Sequence, residues 1–452
     1  MKSVITCDLE GKILTMNNDA EKIFGYKKTE LIGKKRVSIF SPGEIVLQNV
    51  AGWLKKANKF GEFLSQTYFI KKDGTKINAR IRITPTFSNG KNNPQTGYCG
   101  VTIPIENEVY VQINFLTKII KALAITRMPF TSASLFPVLS VGAYYAGMGN
   151  NLFSVTNFFM CVFGIFFLHL GANVYNDYFD VRDATDELNY DYFNTGGINN
   201  LLKKFSAQIS GGSRAIELGL ITLKGTKFLA NVFILLSLLI GFMIFYNSFL
   251  LTKSLSNMYS CLSIGLLGLF FGYYYTARPL RLSSRRGLGE LSIFLSFGPL
   301  LTLGTAYAIS KETILIFSDT FYNLLLLGVP MGLLTTNILY INQFPDALSD
   351  AITGKNNLVV TLGKKLARWP YFIFLLLAFL SSYSMVSIFS RNLENFRYDI
   401  FLIGISLLFL FGLYICVRLF KDYESRELIR CNVNTIVLQA LFSLFYIFLF
   451  LF

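Results

Sequence analysis

Two clusters of carboxylates, each at one end of a long uncharged tract, are the residues best suited to chemistry. The first runs Asn173, Asn176, Asp177, Asp180, with Asp183 and Asp186 beyond, and the second runs Asn342, Asp346, Asp350. In a helix Asn173, Asp177 and Asp180 fall at i, i+4 and i+7, and Asn342, Asp346 and Asp350 at i, i+4 and i+8. Each set therefore shares one face. Like charges on one stripe repel, so a cation is expected between them. Opposed carboxylates suit Mg²⁺, a hard ion that keeps several waters and is usually shared with substrate phosphates. The plainer alternative is that these aspartates only solvate helix ends, and the recurrence of the pattern argues against it. Carboxylates at the edge of an apolar helix are costly and point first to function.

The elements that must position them follow from composition. Of 452 residues, 52% are hydrophobic and 15% charged, against about a quarter charged in soluble domains. That balance excludes a disordered chain, a coiled coil and a wholly soluble enzyme. Uncharged tracts cover 128–176, long enough for two helices with a turn at Met148–Asn151, and then 228–252, 254–277, 291–310, 320–345, 369–390, 400–417 and 431–452. A span needs ~20 apolar residues, so nine transmembrane helices are expected. The loops after even-numbered spans carry 18 Lys and Arg, those after odd-numbered spans 4. Basic loops stay cytoplasmic, which predicts a multi-pass protein of the cell membrane with both aspartate clusters and the N-terminal region in the cytoplasm. The net charge of +15 is thereby assigned to topology rather than to nucleic acid. The start, MKSVITCDLEGK, lacks an apolar signal-peptide core. Six scattered Cys and a single His, His169, offer neither a disulfide framework nor a zinc site. His169 falls one turn before Asn173 on the same face, where it either reaches the site or is a hydrogen-bonded core residue. Tyr273–Tyr275 suit cation–π shielding or an interfacial belt.

Residues 1–108 carry 17 Lys and Arg against 10 Asp and Glu and hold no spanning tract. They predict a small α+β domain. Val4–Cys7 and Lys12–Leu14 form a hairpin, Asn18–Glu21 caps a short helix ended by Gly25, Thr67–Ile70 and Lys76–Ile83 form a second hairpin, and Gly97–Ile105 supplies a last strand. This order, with Asn18-x-Ala20, Phe24-Gly25-Tyr26, Glu30–Lys34 and the Lys71–Lys76 hairpin, resembles a PAS domain. The resemblance implies a docking or dimerisation module, or a sensor of a small ligand. Residues 109–127 read as a linker with an amphipathic interface helix at 115–126, and 128–452 as the membrane domain.

Asn176-Asp177-Tyr178-Phe179-Asp180 with Asp186, and Asn342-Gln343-Phe344-Pro345-Asp346 with Asp350, resemble the two aspartate motifs of UbiA-type membrane prenyltransferases. Arg127-Met128-Pro129, Ser210–Arg214, Gly287–Glu290 and Gly354–Gly363 agree. The resemblance implies an all-α UbiA-like membrane domain of about nine helices. It also implies Mg²⁺-dependent transfer of a polyprenyl group from prenyl diphosphate to an aromatic acceptor. Asp177, Asp180, Asp346 and Asp350 would be catalytic and metal-binding, with Asp186 also on the metal. Asn173, Asn176, Arg214, Arg281, Asn342 and Lys355 would bind substrate. Ser210–Arg214, Gly287–Glu290 and Asn342–Asp346 resemble the branch acting on 1,4-dihydroxy-2-naphthoate in menaquinone biosynthesis. Other quinone or lipid acceptors, a PAS-coupled sensor with an inert membrane domain, and an ion transporter are the alternatives. A transporter would place its charges near mid-bilayer, and these lie at one end.

Overall fold

The computed structural model describes residues 1–9, 11–88, 90, 92–149, 152–182, 215–393, 396–425 and 427–452. It divides into two compact units, one formed by Met1–Thr126 with the described residues 215–225, the other by residues 127–182 and 226–452.

The first unit contains strands β1 (Ser3–Asp8) and β2 (Ile13–Met16), helices α1 (Asn18–Phe24) and α2 (Ala51–Phe60), strands β3 (Phe63–Ile70), β4 (Lys76–Thr86) and β5 (Gly97–Pro104), and helix α3 (Phe115–Thr126). The sheet is antiparallel throughout, in the order β2-β1-β5-β4-β3. Alternation along β4 buries Ala79, Ile81 and Ile83, and with Ile5, Cys7 and Phe69 they make one apolar face. Phe24, Leu31, Phe40, Ile45 and Trp53 cover it. The α1 cap is Asn17, not Asn18: the Asn17 Oδ1 accepts from Ala20 N and Val4 N at 3.0 Å each, joining helix start to strand. β3 begins four residues earlier than the pattern suggested, because Phe63 already pairs with Ile83. On α3, Ala124 packs with Leu218 and Leu220 and with the partly buried Val46 and Leu47. Lys121 Nζ meets Glu44 Oε1 at 2.5 Å. Partial burial pushes the Glu44 carboxyl up, but the Lys121 hydrogen bond and charge together with a backbone hydrogen bond outweigh it, and the net effect is a lowered pKa.

The second unit is helical: α4 (Ser132–Met148), α5 (Val155–Arg182), α6 (Leu223–Thr252), α7 (Leu255–Tyr274), α8 (Leu288–Phe297), α9 (Pro299–Ile309), α10 (Asp319–Ile352), α11 (Leu358–Leu366), α12 (Arg368–Ser384), α13 (Val386–Asn392), α14 (Tyr398–Asp422) and α15 (Leu428–Leu451). Counting α8–α9 and α12–α13 as one span each, eight spans among the described residues are long and apolar enough to cross a membrane. The first expected span, α4, is shorter at 17 residues. The span expected over 291–310 is broken in two: Gly298 leaves helical geometry (φ −119, ψ −106) and Pro299 starts α9, where its missing N–H costs nothing.

α10 is the central helix, with 78% of its most apolar window buried against 11% for α6 and 6% for α7. Three glycines let the α8–α9 break close on it. A Cβ at Gly328 would lie 2.5 Å from the carbonyl carbon of Gly298, and one at Gly332 2.6 Å from the Phe294 oxygen. Small residues allow such backbone approach in membrane interfaces, and Thr302 Oγ1 donates to Leu324 O across it at 2.8 Å. Gly328→Ala is therefore expected to cost about 1–3 kcal/mol and to lower the melting temperature in detergent by roughly 3–10 °C. Gly241→Ala, where a Cβ meets open space, should leave it within about 1 °C. Equal melting of the two variants would contradict this packing.

Candidate active site

The last three turns of α5 carry Asn173, Asn176, Asp177 and Asp180, and Asp177 and Asp180 are buried, 4% and 8% exposed. The opposite side of the turn is anchored by aromatics. Tyr175 stacks on Phe179 (centroids 5.6 Å), Tyr273 packs edge-on against both, and the Tyr175 hydroxyl donates to Asn231. These contacts fix the rotation of α5 and hold the aspartate face inward. Arg127, just before α4, approaches Asp177 Oδ1 at 3.6 Å and stands over the Phe130 ring. Its backbone is left-handed (φ 50), as is that of Arg281 (φ 46), a strained state for a non-glycine residue that marks both loops as over-determined by their surroundings.

α10 delivers Asn342, Asp346 and the buried Asp350. The chain then turns back at once: Lys355 N donates to Asp350 O at 2.8 Å, with Gly354 at φ 76 making the turn. The turn brings the Lys355 ammonium to 2.9 Å from Asp180 and 4.0 Å from Asp350. Asn357 serves two helices. Its Oδ1 caps α11 through Val360 N (2.9 Å) and its Nδ2 donates to Asp350 Oδ2 (2.8 Å). Asp350 feels the charges of Lys355, Asp346 and Asp180. About two turns back along α10, buried Glu290 of α8 accepts from Gln343 Nε2 at 2.8 Å, and it accepts from Leu358 N at 3.4 Å. The ends of α5, α8 and α10 thus form one polar cluster.

Beside it lies a cavity of about 690 Å³. Arg127, Asn173, Asn176, Tyr275 and Asn342 line it with His169 and Ser134, and most of the rest is apolar, including Phe245, Leu269, Ile293 and Phe297. Asn342 Oδ1 accepts from Asn432 Nδ2 at 2.6 Å, which directs the Asn342 amide nitrogen elsewhere.

Of the residues singled out from sequence, Asp180, Asp350 and Lys355 meet directly, Asp177 joins them through α5, and Asn173, Asn176 and Asn342 line the cavity. Asp346 is half-buried on α10, and Arg281 sits in the loop between α7 and α8. Asp186 and Arg214 lie outside the described residues. Sequence reasoning did not give Arg127 and Asn357 a site role. Their signals were faint: an arginine before Met128-Pro129 at the mouth of a long apolar tract, and an Asn placed to cap a helix.

Among the described residues, no three His, Cys, Asp or Glu side chains form a ready-made metal cage. The donor set still fits a hard divalent cation, which binds through one or two carboxylates plus substrate oxygens. Three of these aspartates are buried, and an ammonium stands between two of them where charge balance calls for a cation.

The PAS-domain family matches residues 2–101, and the UbiA prenyltransferase family matches residues 134–436, more than half of the chain. The 1,4-dihydroxy-2-naphthoate octaprenyltransferase of Haemophilus influenzae is 26% identical over 252 residues, 56% of this chain and 71% of that protein. The 2-carboxy-1,4-naphthoquinone phytyltransferase of Synechocystis sp. is 37% identical over 100 residues, 22% of this chain and 30% of that one. Among solved structures, a UbiA homolog from Archaeoglobus fulgidus bound to GPP and Mg²⁺ is 15% identical, with 73% of this chain and 99% of that one covered at a TM-score of 0.46. The chain begins with a PAS domain and belongs to the UbiA prenyltransferase family, and it is a multi-pass membrane prenyltransferase.

Proposed function

We propose that this protein transfers a polyprenyl group from a prenyl diphosphate to 1,4-dihydroxy-2-naphthoate in menaquinone biosynthesis, with Mg²⁺ as cofactor, at the cytoplasmic face of the cell membrane. The observation that carries the reading is Lys355, whose contacts to Asp180 and Asp350 tie the aspartate ends of α5 and α10 into one group. The excess of Lys and Arg in the loops on that side supports this orientation, with the PAS domain in the cytoplasm.

Asp177, Asp180, Asp346 and Asp350 are the residues to hold Mg²⁺, with Asp186 as a further ligand. When bound, the ion acts as a Lewis acid on the diphosphate oxygens, worth several kcal/mol in the transition state. Lys355 and Arg127 exchange carboxylate for diphosphate contacts, and preorganised cations in a water-poor site stabilise the charge that develops on the leaving group. Arg281 and Arg214 are the further cations for that group. Asn176, Asn173 and the Asn342 amide donate hydrogen bonds. The apolar walls take the isoprenoid chain and keep water from the allylic cation, and Tyr275 offers its ring face to that cation. The C–O bond breaks with its electron pair leaving on pyrophosphate, and a ring carbon of the acceptor forms the new C–C bond. Loss of the ring carboxylate as CO₂ then gives the quinol form of a demethylmenaquinone-type product. The sequence segments Ser210–Arg214, Gly287–Glu290 and Asn342–Asp346 support the naphthoate acceptor, as do the naphthoate and naphthoquinone substrates in the relatives' names.

Asp177→Ala or Asp346→Ala should lower prenyl transfer by at least about a hundredfold while the protein stays monodisperse in detergent. EDTA should stop the wild-type reaction and added Mg²⁺ restore it. Activity within a few-fold of wild type in either variant refutes the metal assignment. In competition assays dihydroxynaphthoate should be prenylated well ahead of 4-hydroxybenzoate or a glycerol phosphate lipid, and the reverse order refutes the acceptor.

A further inference from the structure

The only histidine of the chain, His169, takes no part in the chemistry above, yet it lines the cavity two turns below Asp177. Its hydrogen-bond partner bears on which ring nitrogen carries the proton. Ser134 is buried, 3% exposed, and its hydroxyl has one hydrogen to give. That hydroxyl donates to Thr131 O at 3.0 Å, closing the first turn of α4. The same oxygen lies 2.7 Å from His169 Nδ1, and with the serine hydrogen assigned to Thr131 O the oxygen accepts there and Nδ1 is assigned as the donor. Nε2 is left as a bare acceptor on a ring held edge-on against Phe297 at 5.2 Å. Ser134 is the hydrogen-bond partner found for His169 among the described residues. A neutral, oriented imidazole acceptor in an apolar cavity matches a partner that brings its own O–H.

We propose that His169 Nε2 binds a ring hydroxyl of the aromatic acceptor and removes its proton during transfer, an assignment that rests on the prenyl-transfer reading above. His169, Asn173 and Asp177 are spaced i, i+4 and i+8 on α5, so His169 lies about 12 Å from Asp177 along the helix axis. The diphosphate end and the ring end of the reaction fit within that length, with the reacting carbons between them. As the ring carbon bonds to the allylic carbon, the hydroxyl O–H bond breaks and its electron pair becomes the second bond of a ring carbonyl. The proton passes to Nε2, and the electron pair of the cleaved C–O bond leaves with pyrophosphate. The imidazolium gives its proton to water after product leaves. Ser134 acts through His169 as a positioning residue, because the hydrogen bond at Nδ1 keeps the lone pair on Nε2.

The test compares wild type with His169→Phe, which keeps a ring against Phe297, and His169→Gln, which keeps a polar side chain. Each is assayed with the hydroxynaphthoate, with its mono-O-methyl ethers, and without acceptor for Mg²⁺-dependent release of pyrophosphate. The expected result for His169→Phe is a loss of about a hundredfold in transfer kcat/KM, with pyrophosphate release and melting temperature unchanged. His169→Gln should fall between. Wild type should bind the free hydroxyl at least about tenfold more tightly than one of the ethers, and His169→Phe should not distinguish them. The proposal is overturned if both variants keep transfer within threefold, or if His169→Phe keeps the full preference for hydroxyl over ether. If pyrophosphate release falls together with transfer, His169 serves the diphosphate site and the proposal fails while prenyl transfer stands. A wild-type protein that binds prenyl diphosphate with Mg²⁺ but alkylates no aromatic ring overturns the acceptor reading and this proposal together.

Discussion

Three buried carboxylates at the ends of two membrane helices dominate the electrostatics of this molecule. An uncompensated charge in such a place is expensive, so the fold must supply a counter-charge. It does so with one turn of chain, residues 353–357, which reverses direction after α10 and returns Lys355 between Asp180 and Asp350. Much of the remaining architecture keeps that arrangement in register. The glycine crossing of α8–α9 on α10 sets the depth of Glu290, and Glu290 in turn holds Gln343 and the start of α11. The aromatic cluster of Tyr175, Phe179 and Tyr273 sets the rotation of α5. Asn357 caps α11 with one atom and holds Asp350 with another.

Under the proposed function, the same arrangement would let a hydrophobic chain and a highly charged diphosphate be handled in one site. Polar groups gather at the helix ends, and apolar walls begin within one or two turns, at Asn173 and Asn342. Ammonium and guanidinium groups stand beside the aspartates, and on that reading they are in place for an incoming phosphate. Binding would then exchange partners instead of importing charge into an apolar cavity, which would lower the desolvation cost.

Much of this was legible in the sequence because its causes are local or periodic. Uncharged tracts of spanning length give the helices, and the spacing of Asn173, Asp177 and Asp180 gives a face without knowledge of its neighbour. The strands of the PAS domain follow from two-residue alternation and glycine turns. What was not legible depends on contacts between distant segments. The break at Gly298 looks like the interior of an ordinary span until Gly328 and Gly332 are seen packed against it. Arg127 reads as one more topological charge until Asp177 lies beside it. Asn17 outcompetes Asn18 as a cap because it also binds Val4 in the neighbouring strand, and no helix signal reports that. Ala124, Leu218 and Leu220 form a cluster from segments about ninety residues apart, beyond any periodicity.

The central claim is that the ends of α5 and α10 make a single diphosphate site. It is tested most directly by a double-mutant cycle on Mg²⁺-dependent binding of a non-hydrolysable prenyl diphosphate analogue, using Asp180→Asn, Asp350→Asn and the pair. Groups that act as one unit give strongly non-additive effects, so the double variant is predicted to bind about as weakly as either single one. Losses that simply add, each helix contributing independently, would contradict the account.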